Sequence, residues 1–272
     1  MYSVLILTQN EERNLPRCLE SVRTCGDMVV LDSGSTDRTV EIAREAGARV
    51  FTHAFENFAA QRNHAQREIT FRHEWVFHLD ADEQFTPELE AECRAASSRR
   101  DVDGFLVAPK MLWEGRWIPH CTDYPAWQAR FVRAPAFRFI EVGHGQREDP
   151  AMRLDRLRAN YLHDLSAGGE RAWLEKHRRY ARAEALQLLN STSTPILPGL
   201  LASDGLQRRR ALKQLSYRMP FRPGLRFVYQ YILRGGFLDG GPGLKYCRLL
   251  AHYEGFADDE LRKLRRRQGG AA

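Results

Sequence analysis

Three carboxylates lie within four positions in the segment HLDADE, residues 78–83, directly after the apolar run Trp75–Phe77. Like charges this close repel one another unless a positive group lies among them. Asp80 and Asp82, two positions apart, can both face a divalent cation if the strand opens into a turn. Because Mg²⁺ commonly takes one or two carboxylates and completes its shell with substrate phosphates, the pattern predicts a metal-bound pyrophosphate. The alternative is a solvated cluster of acids at the end of a strand or the start of a helix.

The elements that must position these acids form an alternating pattern. In the first half of the chain, short apolar runs alternate with segments whose apolar residues recur at helical spacing. This pattern is typical of an α/β fold with a parallel sheet and crossover helices. The predicted strands are Ser3–Leu7, Met28–Leu31, Arg49–Thr52 and Trp75–Leu79. Helices are predicted around Leu15–Val22, over Asp37–Ala46, and after Thr86, which precedes a proline at the first helical position.

The second half of the chain shows a different pattern of predicted elements. Strands are predicted at Phe105–Ala108, Gly115–Ile118 and Gln128–Arg133, as a mixed extension of the sheet. A helix is predicted over Glu170–Leu189, and it is followed by a linker, Asn190–Gly199, that contains serine, threonine and proline. We therefore expect residues 1–190 to form an α/β domain and residues 191–272 to form a helical, basic C-terminal extension.

Polar side chains follow the predicted parallel strands. The first strand ends in Thr8-Gln9-Asn10-Glu11 and the second in Asp32-Ser33-Gly34. Because ligands of doubly wound sheets bind at the carboxyl ends of the strands, we expect these residues to meet the acids that follow the fourth strand. Asp32 can accept hydrogen bonds from a base or a ribose, and Gly34 lets the backbone turn closely into the next helix. No G-x-G-x-x-G follows the first strand and no P-loop pattern occurs, which argues against both of those nucleotide-binding folds.

The composition is that of a globular chain with an excess of positive charge. Of its 272 residues, 43% are hydrophobic and 28% are charged. A net charge of +6 and a pI near 9.2 suggest an anionic partner, namely nucleotide phosphates, an acidic membrane or nucleic acid. The five cysteines lack C-x-x-C and zinc-finger spacing, which favours a reducing compartment. Since no secretory signal and no apolar stretch of about 18–20 residues is found, we expect a cytoplasmic protein, free or peripheral on the inner face of the cytoplasmic membrane.

Three segments of the first half resemble the family 2 glycosyltransferases, whose GT-A (Rossmann-like) fold has a mixed, mainly parallel sheet flanked by helices. They are SVLILTQNEERNLPRCLESV, VVLDSGSTDRTVEIA and WVFHLDADEQFTPEL. By this resemblance, Asp80 and Asp82 would hold Mg²⁺ or Mn²⁺ against the diphosphate of a nucleotide-sugar donor. The residues that would contact the nucleotide are Thr8, Gln9, Glu11, Asp32 and Asp80.

Segments of the second half narrow the resemblance to the bacterial branch that builds lipopolysaccharide core and exopolysaccharides. They are YPAWQARFVR, LHDLSAGGERAWLEKHRRYARAEA and GFLDGGPGLKYCRLLAHYEGF, together with His144 between two glycines. The similarity to core β-glucosyltransferases implies a UDP-hexose donor, such as UDP-glucose, and a saccharide or lipid-linked acceptor. His144 would touch the diphosphate or the metal. In those enzymes a glutamate follows this histidine, where the present chain has Gly145.

The resemblance also implies an inverting hexosyl transfer, in which an acceptor hydroxyl displaces the nucleoside diphosphate directly. A carboxylate must then take the proton of the acceptor. The candidates are Asp149, which we favour, then Glu148, with Asp123 and Glu141 as further alternatives. Arg130 and Arg133 are expected to be solvated charges on strand faces unless they steady phosphates.

The C-terminal segment interleaves aromatic residues with arginines over residues 217–234, and the chain continues to LRKLRRRQGG. Such a composition is typical of amphipathic basic helices that lie on anionic membranes. The alternative is a helical subdomain that packs on the sheet and turns an arginine-rich face to solvent.

Two other functions remain open. A sugar-nucleotide nucleotidyltransferase would also bind a metal pyrophosphate, but it usually has a glycine-rich loop and a basic residue after the first strand, where this chain has acids. A non-enzymatic membrane-binding or nucleic-acid-binding protein would explain the pI but not the acidic strand tips. Because no RNP, helix-turn-helix or zinc-finger pattern occurs, no nucleic acid partner is expected.

Overall fold

The structure is a computed structural model that describes residues 1–142, 145–190, 198, 201, 208, 211, 215–216 and 219–269. The chain divides into two units. The first unit contains Met1–Gly115 and Asp123–Ala167, and the second contains Arg116–Thr122 and Gly168–Ala272.

The strands are β1 (Ser3–Thr8), β2 (Asp27–Asp32), β3 (Arg49–Thr52), β4 (Trp75–Asp80), β5 (Glu83–Gln84), β6 (Gly104–Val107), β7 (Pro109–Trp113), β8 (Arg116–Trp117), β9 (Gln128–Arg133), β10 (Phe139–Val142), β11 (Gly145–Glu148), β12 (Leu154–Arg156) and β13 (Tyr161–Asp164). The helices of the first unit are α1 (Leu15–Ser21), α2 (Thr39–Glu45), α3 (Phe58–Glu68) and α4 (Pro87–Ala96). Those of the second unit are α5 (Gly169–Asn190), α6 (Arg222–Val228) and α7 (Gly240–Gly269), with a π-helical turn at Tyr229–Leu233 and a 3₁₀ turn at Gly236–Asp239.

A seven-stranded sheet of order β12-β6-β9-β4-β1-β2-β3 forms the centre of the first unit. Strand β1 runs parallel to β2 and β4, and β2 runs parallel to β3, whereas β9 is antiparallel to both β4 and β6. A smaller group pairs β13 with β5 and β7, and β10 forms a hairpin with β11. The predicted α/β fold with a mixed, mainly parallel sheet is therefore confirmed.

The predicted parallel strands are correct to within one or two residues, and the physical reason is their continuous apolar character. Both faces of β1 and β4 are buried, because Ile6 and Phe77 join one core cluster while Leu5 and Val76 join another on the opposite face. Strands covered on both faces read as unbroken apolar runs rather than as alternating patterns. Helix α4 also begins as predicted, since the Thr86 side chain accepts a hydrogen bond from the amide of residue 89.

Helix α3 is the main element that the sequence analysis did not predict. Its inward face holds the buried polar residues Gln61, Arg62 and Gln66 in addition to Ala59 and Ala65. An apolar stripe at helical spacing is therefore missing. The helix begins at Asn57, whose side chain accepts a hydrogen bond from the Ala60 amide at 2.7 Å.

In the second unit, α5 packs against α7 through Trp173 and His177, whose rings contact Tyr246 and Tyr253. This contact groups α5 with the C-terminal helices, whereas the sequence pattern assigned it to a domain of residues 1–190. The predicted linker 190–199 lies outside the described residues apart from its positions 190 and 198, so the boundary stays a prediction. Within the part of the chain that the structure describes, no helix is both long and apolar enough to cross a membrane.

Candidate active site

The tips of three parallel strands meet at one edge of the large sheet. Strands β1, β2 and β4 end at Thr8, Asp32 and Asp80, and the register sets Thr8 beside Asp32 and Leu7 beside Asp80. Parallel strands necessarily present their carboxyl ends together, which is where ligands of such sheets bind. The expectation that the polar residues after these strands would meet is therefore fulfilled for β1, β2 and β4.

Asp32 is buried, and its carboxylate accepts hydrogen bonds from nearby donors of the same chain. One oxygen accepts hydrogen bonds from the hydroxyls of Thr8, at 3.0 Å, and Ser35. The other accepts the amides of Gly34 at 2.9 Å and Ser35 at 2.8 Å. Since a carboxylate offers about four acceptor positions, all of them are used. Asp32 thus shapes the turn after β2, where Gly34 has a left-handed φ of 85°.

The turns after β1 and β2 are joined to each other. Asn10, with a left-handed φ of 57°, donates its amide to the Ser35 hydroxyl and accepts the Thr36 amide on its side-chain oxygen, both at 2.8 Å. The Glu11 amide donates to the hydroxyl of Thr39 at 2.8 Å. These bonds join the two turns into one rim, which carries Gln9 and Glu11. Hydrogen bonds within the protein therefore fix the shape of this rim.

Two buried arginines neutralise Asp80. Arg62 of α3 donates to Oδ1 at 2.8 Å, and Arg130 of β9 donates to Oδ2 at 3.1 Å. Burial alone raises the pKa of Asp80, but the two guanidinium groups outweigh it and hold the pKa well below its usual range. The expectation that Arg130 would be a solvated charge is wrong, because the strand position that carries it faces the core rather than water.

Glu83, the third carboxylate of the cluster, is a structural residue. It is fully buried, accepts the Asp80 amide at 2.8 Å and pairs with Arg130 Nη2 at 2.8 Å. Burial, reinforced by the charges of Asp80 and Asp82, raises the pKa of Glu83 to about 7. The positive groups that the crowded acids require are thus, in part, arginines of the chain itself.

Asp82 lies in the turn between β4 and β5 and is partly exposed. Its Oδ2 is 3.4 Å from Nε2 of His163 in β13, and Nδ1 of the same ring is 3.7 Å from Glu83. Although burial lowers the pKa of His163, the neighbouring Asp82 and Glu83 carboxylates raise it overall. No sequence pattern marks His163, and only the pairing of β13 with β5 brings it to this turn.

Asp82 and His163 are the residues that fit a divalent ion. Both oxygens of Asp80 already accept arginine hydrogen bonds, so Asp80 would exchange one of them to reach a metal. Among the described residues, no group of three or more acids, histidines or cysteines is arranged to hold an ion. Asp82 supplies one carboxylate, and the His163 imidazole could join it only after it has lost its proton, so substrate phosphates would complete most of the shell of the ion. His144 lies outside the described residues.

The proposed bases lie at the end of the β10–β11 hairpin. Glu148 is the last residue of β11 and pairs with Phe139, on the half-buried side of the strand. Asp149 donates its amide to the Arg138 carbonyl at 3.0 Å and accepts the Ala151 amide on its carboxylate at 2.9 Å. Of the other candidates, Glu141 accepts a hydrogen bond from Asn57, and Asp123 is exposed.

Arg62 has two buried side-chain nitrogens besides the one that pairs with Asp80. Its side chain is buried, and its Nε and Nη1 atoms find no hydrogen-bond acceptor within the described residues. Buried polar groups without partners are rare in proteins, and they are expected where a ligand or ordered water completes the site. No sequence pattern marks Arg62, because α3 itself was not predicted.

Comparison with known proteins identifies relatives of the first half of the chain. Residues 3–133 match the sequence model of Glycosyl transferase family 2. A TPR repeat-containing protein of Synechococcus elongatus is 33% identical over 161 residues, which are 58% of this chain and 38% of that protein. The lipopolysaccharide core biosynthesis glycosyltransferase LpsC of Rhizobium meliloti is 34% identical over 114 residues, 39% of this chain and 41% of LpsC. An uncharacterized glycosyltransferase of Rickettsia bellii is 33% identical over 106 residues, 39% of this chain and 35% of that protein. The chain thus spans well under half the length of each.

Two matches among solved structures share less sequence with the chain. TarS of S. aureus, residues 1–349, is 18% identical, with 98% of this chain and 91% of that chain covered and a TM-score of 0.49. Glucosyl-3-phosphoglycerate synthase of Mycobacterium tuberculosis is 21% identical, with 42% and 44% covered and a TM-score of 0.34.

Proposed function

Residues 3–133 belong to glycosyl transferase family 2, and from this premise we propose that the protein moves a sugar from a nucleotide-sugar donor to an acceptor hydroxyl with the help of a divalent metal. The observation that carries the proposal is the tip of β4. There Asp80 is held by two buried arginines, and Asp82 is left beside His163 at the partly exposed turn. This arrangement suits a diphosphate together with a cation.

The diphosphate would be held by charges on both sides of the turn. Asp82 and His163 would ligate Mg²⁺ or Mn²⁺, which supplies Lewis-acid stabilisation of the negative charge on the departing diphosphate. The unused Nε and Nη1 donors of Arg62 fit phosphate oxygens, for which arginine is well suited. Arg130 keeps Asp80 ionised and in place, so that it can contact the nucleotide without adding net negative charge.

The nucleoside would lie on the rim formed by the turns after β1 and β2. Thr8, Gln9, Glu11 and Asp32 are proposed to line it, as the family resemblance implies. Gln9 is exposed on this rim, and its Nε2 is 3.4 Å from the Ser33 carbonyl. Because Asp32 already accepts four hydrogen bonds, its part is to fix the turn unless a donor of the base replaces one of them.

The transfer would be a direct displacement with inversion at the anomeric carbon. The acceptor oxygen forms the new bond to that carbon while the bond to the diphosphate oxygen breaks, and the electron pair leaves with the nucleoside diphosphate. Asp149 or Glu148 would take the proton of the acceptor hydroxyl. We propose a UDP-hexose such as UDP-glucose as donor and a lipopolysaccharide-core or other cell-surface saccharide as acceptor, on a protein that acts in the cytoplasm. The similarity to LpsC supports this class of acceptor.

A ligand panel with product analysis tests the proposal. UDP, GDP, CDP, ADP and dTDP are added with and without Mn²⁺, and the thermal midpoint is measured, since a ligand of the native state raises it. We expect a metal-dependent increase for one nucleotide, and release of that nucleoside diphosphate when its sugar donor and an acceptor are supplied. Release of pyrophosphate from a nucleoside triphosphate and a sugar phosphate would instead identify a nucleotidyltransferase. No increase with any nucleotide would refute the proposed site.

A further inference from the structure

An exposed apolar surface covers one side of the second unit between residues 221 and 238. Eight large apolar side chains of this segment are at least two-fifths exposed, and we call them the apolar patch: Phe221, Leu225, Val228, Tyr229, Ile232, Leu233, Phe237 and Leu238. Scattered exposed apolar residues are normal, but contiguous ones mark an interaction site. Such a patch requires a partner that removes it from water.

The helix that carries most of the patch turns its polar side to the protein. Along α6 and the turn that continues it, Arg222, Arg226 and Gln230 recur at intervals of four. Arg222 is buried and pairs with Glu254 and Asp258 of α7, while Gln230 is buried and donates to the Cys121 carbonyl at 2.7 Å. These contacts fix the rotation of the helix.

The opposite side of that helix, with Phe221, Leu225, Val228 and Ile232 at intervals of three or four, therefore faces outward. A surface helix that packs on a protein core shows the reverse arrangement. Along this helix the alternative of an arginine-rich solvent face is not favoured, because Arg222 and Arg226 pair with acids of α7.

Phe221 adds an independent observation. Its φ is 57°, in the left-handed region that a bulky L-residue occupies only at a cost, and its side chain is 87% exposed. Glycine or asparagine would adopt this conformation with less strain. Because the residue is exposed, its ring adds little to the packing of the core, and strain of this kind concentrates at functional positions.

The charge of the chain is concentrated in the same region. The residues of the second unit, Arg116–Thr122 and Gly168–Ala272, carry a net charge of +12 even with the acids that pair with Arg222 and Arg226 included, whereas those of the first unit carry −6. A second copy would bring an equally positive unit against the first and would be repelled. A partner with an apolar interior and an anionic surface would cover the apolar patch and also attract the positive charge.

We propose that the apolar patch inserts into the headgroup and upper acyl region of an anionic lipid bilayer, so that the protein is held peripherally on a membrane. Interfacial helices of this kind bury their apolar face about 5–10 Å deep, and basic residues near the surface add attraction to anionic lipids. The proposal depends on the second unit alone and stands or falls independently of the proposed glycosyl transfer.

Co-sedimentation of the full chain with vesicles tests the proposal. The vesicles are phosphatidylcholine with or without phosphatidylglycerol, and the variants are Leu233→Ser/Phe237→Ser and Phe221→Asn. The matched control is Leu186→Ser, because Leu186 of α5 is 42% exposed, as Leu225 is at 43%, but lies outside the patch. We expect wild type to bind neutral vesicles at least about tenfold more weakly than anionic vesicles. The double variant should bind anionic vesicles at least about tenfold more weakly than wild type does, and the control should bind them as wild type does.

Phe221→Asn separates a binding role from a folding role. We expect this variant to bind anionic vesicles more weakly while its thermal midpoint is unchanged or higher, since asparagine tolerates the left-handed conformation. Equal vesicle binding by wild type and the double variant would overturn the proposal, as would absence of binding to anionic vesicles. A concentration-dependent dimer in sedimentation velocity that the double variant abolishes would instead assign the patch to a second copy of the chain.

Discussion

Replacing Arg130 by methionine would remove the cation that two buried carboxylates share. Arg130 Nη2 lies 3.1 Å from Asp80 and 2.8 Å from Glu83, and Glu83 has no exposed surface. Removing one partner of a buried ion pair leaves an uncompensated charge and costs about 3–5 kcal/mol. We expect Arg130→Met to lower the free energy of unfolding by about that amount, and nucleotide binding to weaken because Asp80 loses its position.

Urea denaturation followed by circular dichroism measures this loss, and two further variants make it specific. Arg133→Met, three residues along β9, removes an arginine that pairs with partly exposed Glu74 and donates to the Arg99 carbonyl at 2.8 Å but neutralises no buried carboxylate, so it should cost about 2 kcal/mol or less. Adding Glu83→Gln to Arg130→Met removes the stranded charge and should restore at least about 1 kcal/mol. If Arg130→Met costs no more than Arg133→Met, or if the added Glu83→Gln brings no recovery, the assigned role of the arginine is refuted.

Three further outcomes are expected. Asp27 is buried and accepts hydrogen bonds from Arg49. Burial raises the pKa of Asp27, but Arg49 and the other donors outweigh burial and lower this pKa overall. The ionised carboxylate therefore stabilises the fold above about pH 4, and this stabilisation is lost as the pH falls through the lower pKa of the folded state. Asp27→Asn should flatten the acid limb of unfolding free energy against pH, and an unchanged limb would contradict this. Thr86→Ala removes the cap of α4 and should lower the free energy of unfolding in urea by about 1 kcal/mol. An unchanged free energy of unfolding would show that the cap does not stabilise the helix. Asp32→Ala frees the Gly34 and Ser35 amides and should weaken nucleotide binding in calorimetry, and full affinity would show that the turn after β2 plays no part.

The polar residues that were predicted at one edge of the sheet, and lie there, share a local signal. Thr8, Asp32 and Asp80 each follow an apolar strand that is buried on both faces, and the ends of parallel strands must lie at one edge. Their position could therefore be predicted from hydrophobic runs alone. What each carboxylate contacts could not, because hydrogen-bond partners depend on elements that are distant in sequence.

The charged residues whose surroundings could not be predicted all reach the strand tips through tertiary pairing. His163 joins Asp82 only because β13 pairs with β5, and Arg130 is buried only because β9 inserts next to β4. Arg62 lies on a helix whose inward face is largely polar, so no periodic apolar signal marks it. In each case the charge is neutralised by a partner from another element, and a pattern along the chain does not encode that partner.

Calorimetric titration of the nucleoside diphosphate selected by the ligand panel, with and without Mn²⁺, tests the central claim most directly. It compares wild type, Asp82→Asn and the control Glu88→Gln, in which an exposed carboxylate of the first turn of α4 is neutralised. We predict that Mn²⁺ strengthens binding to wild type and to Glu88→Gln and has no effect on Asp82→Asn. Equal Mn²⁺ dependence in Asp82→Asn and wild type would contradict the assignment of the turn after β4 as the metal and diphosphate site.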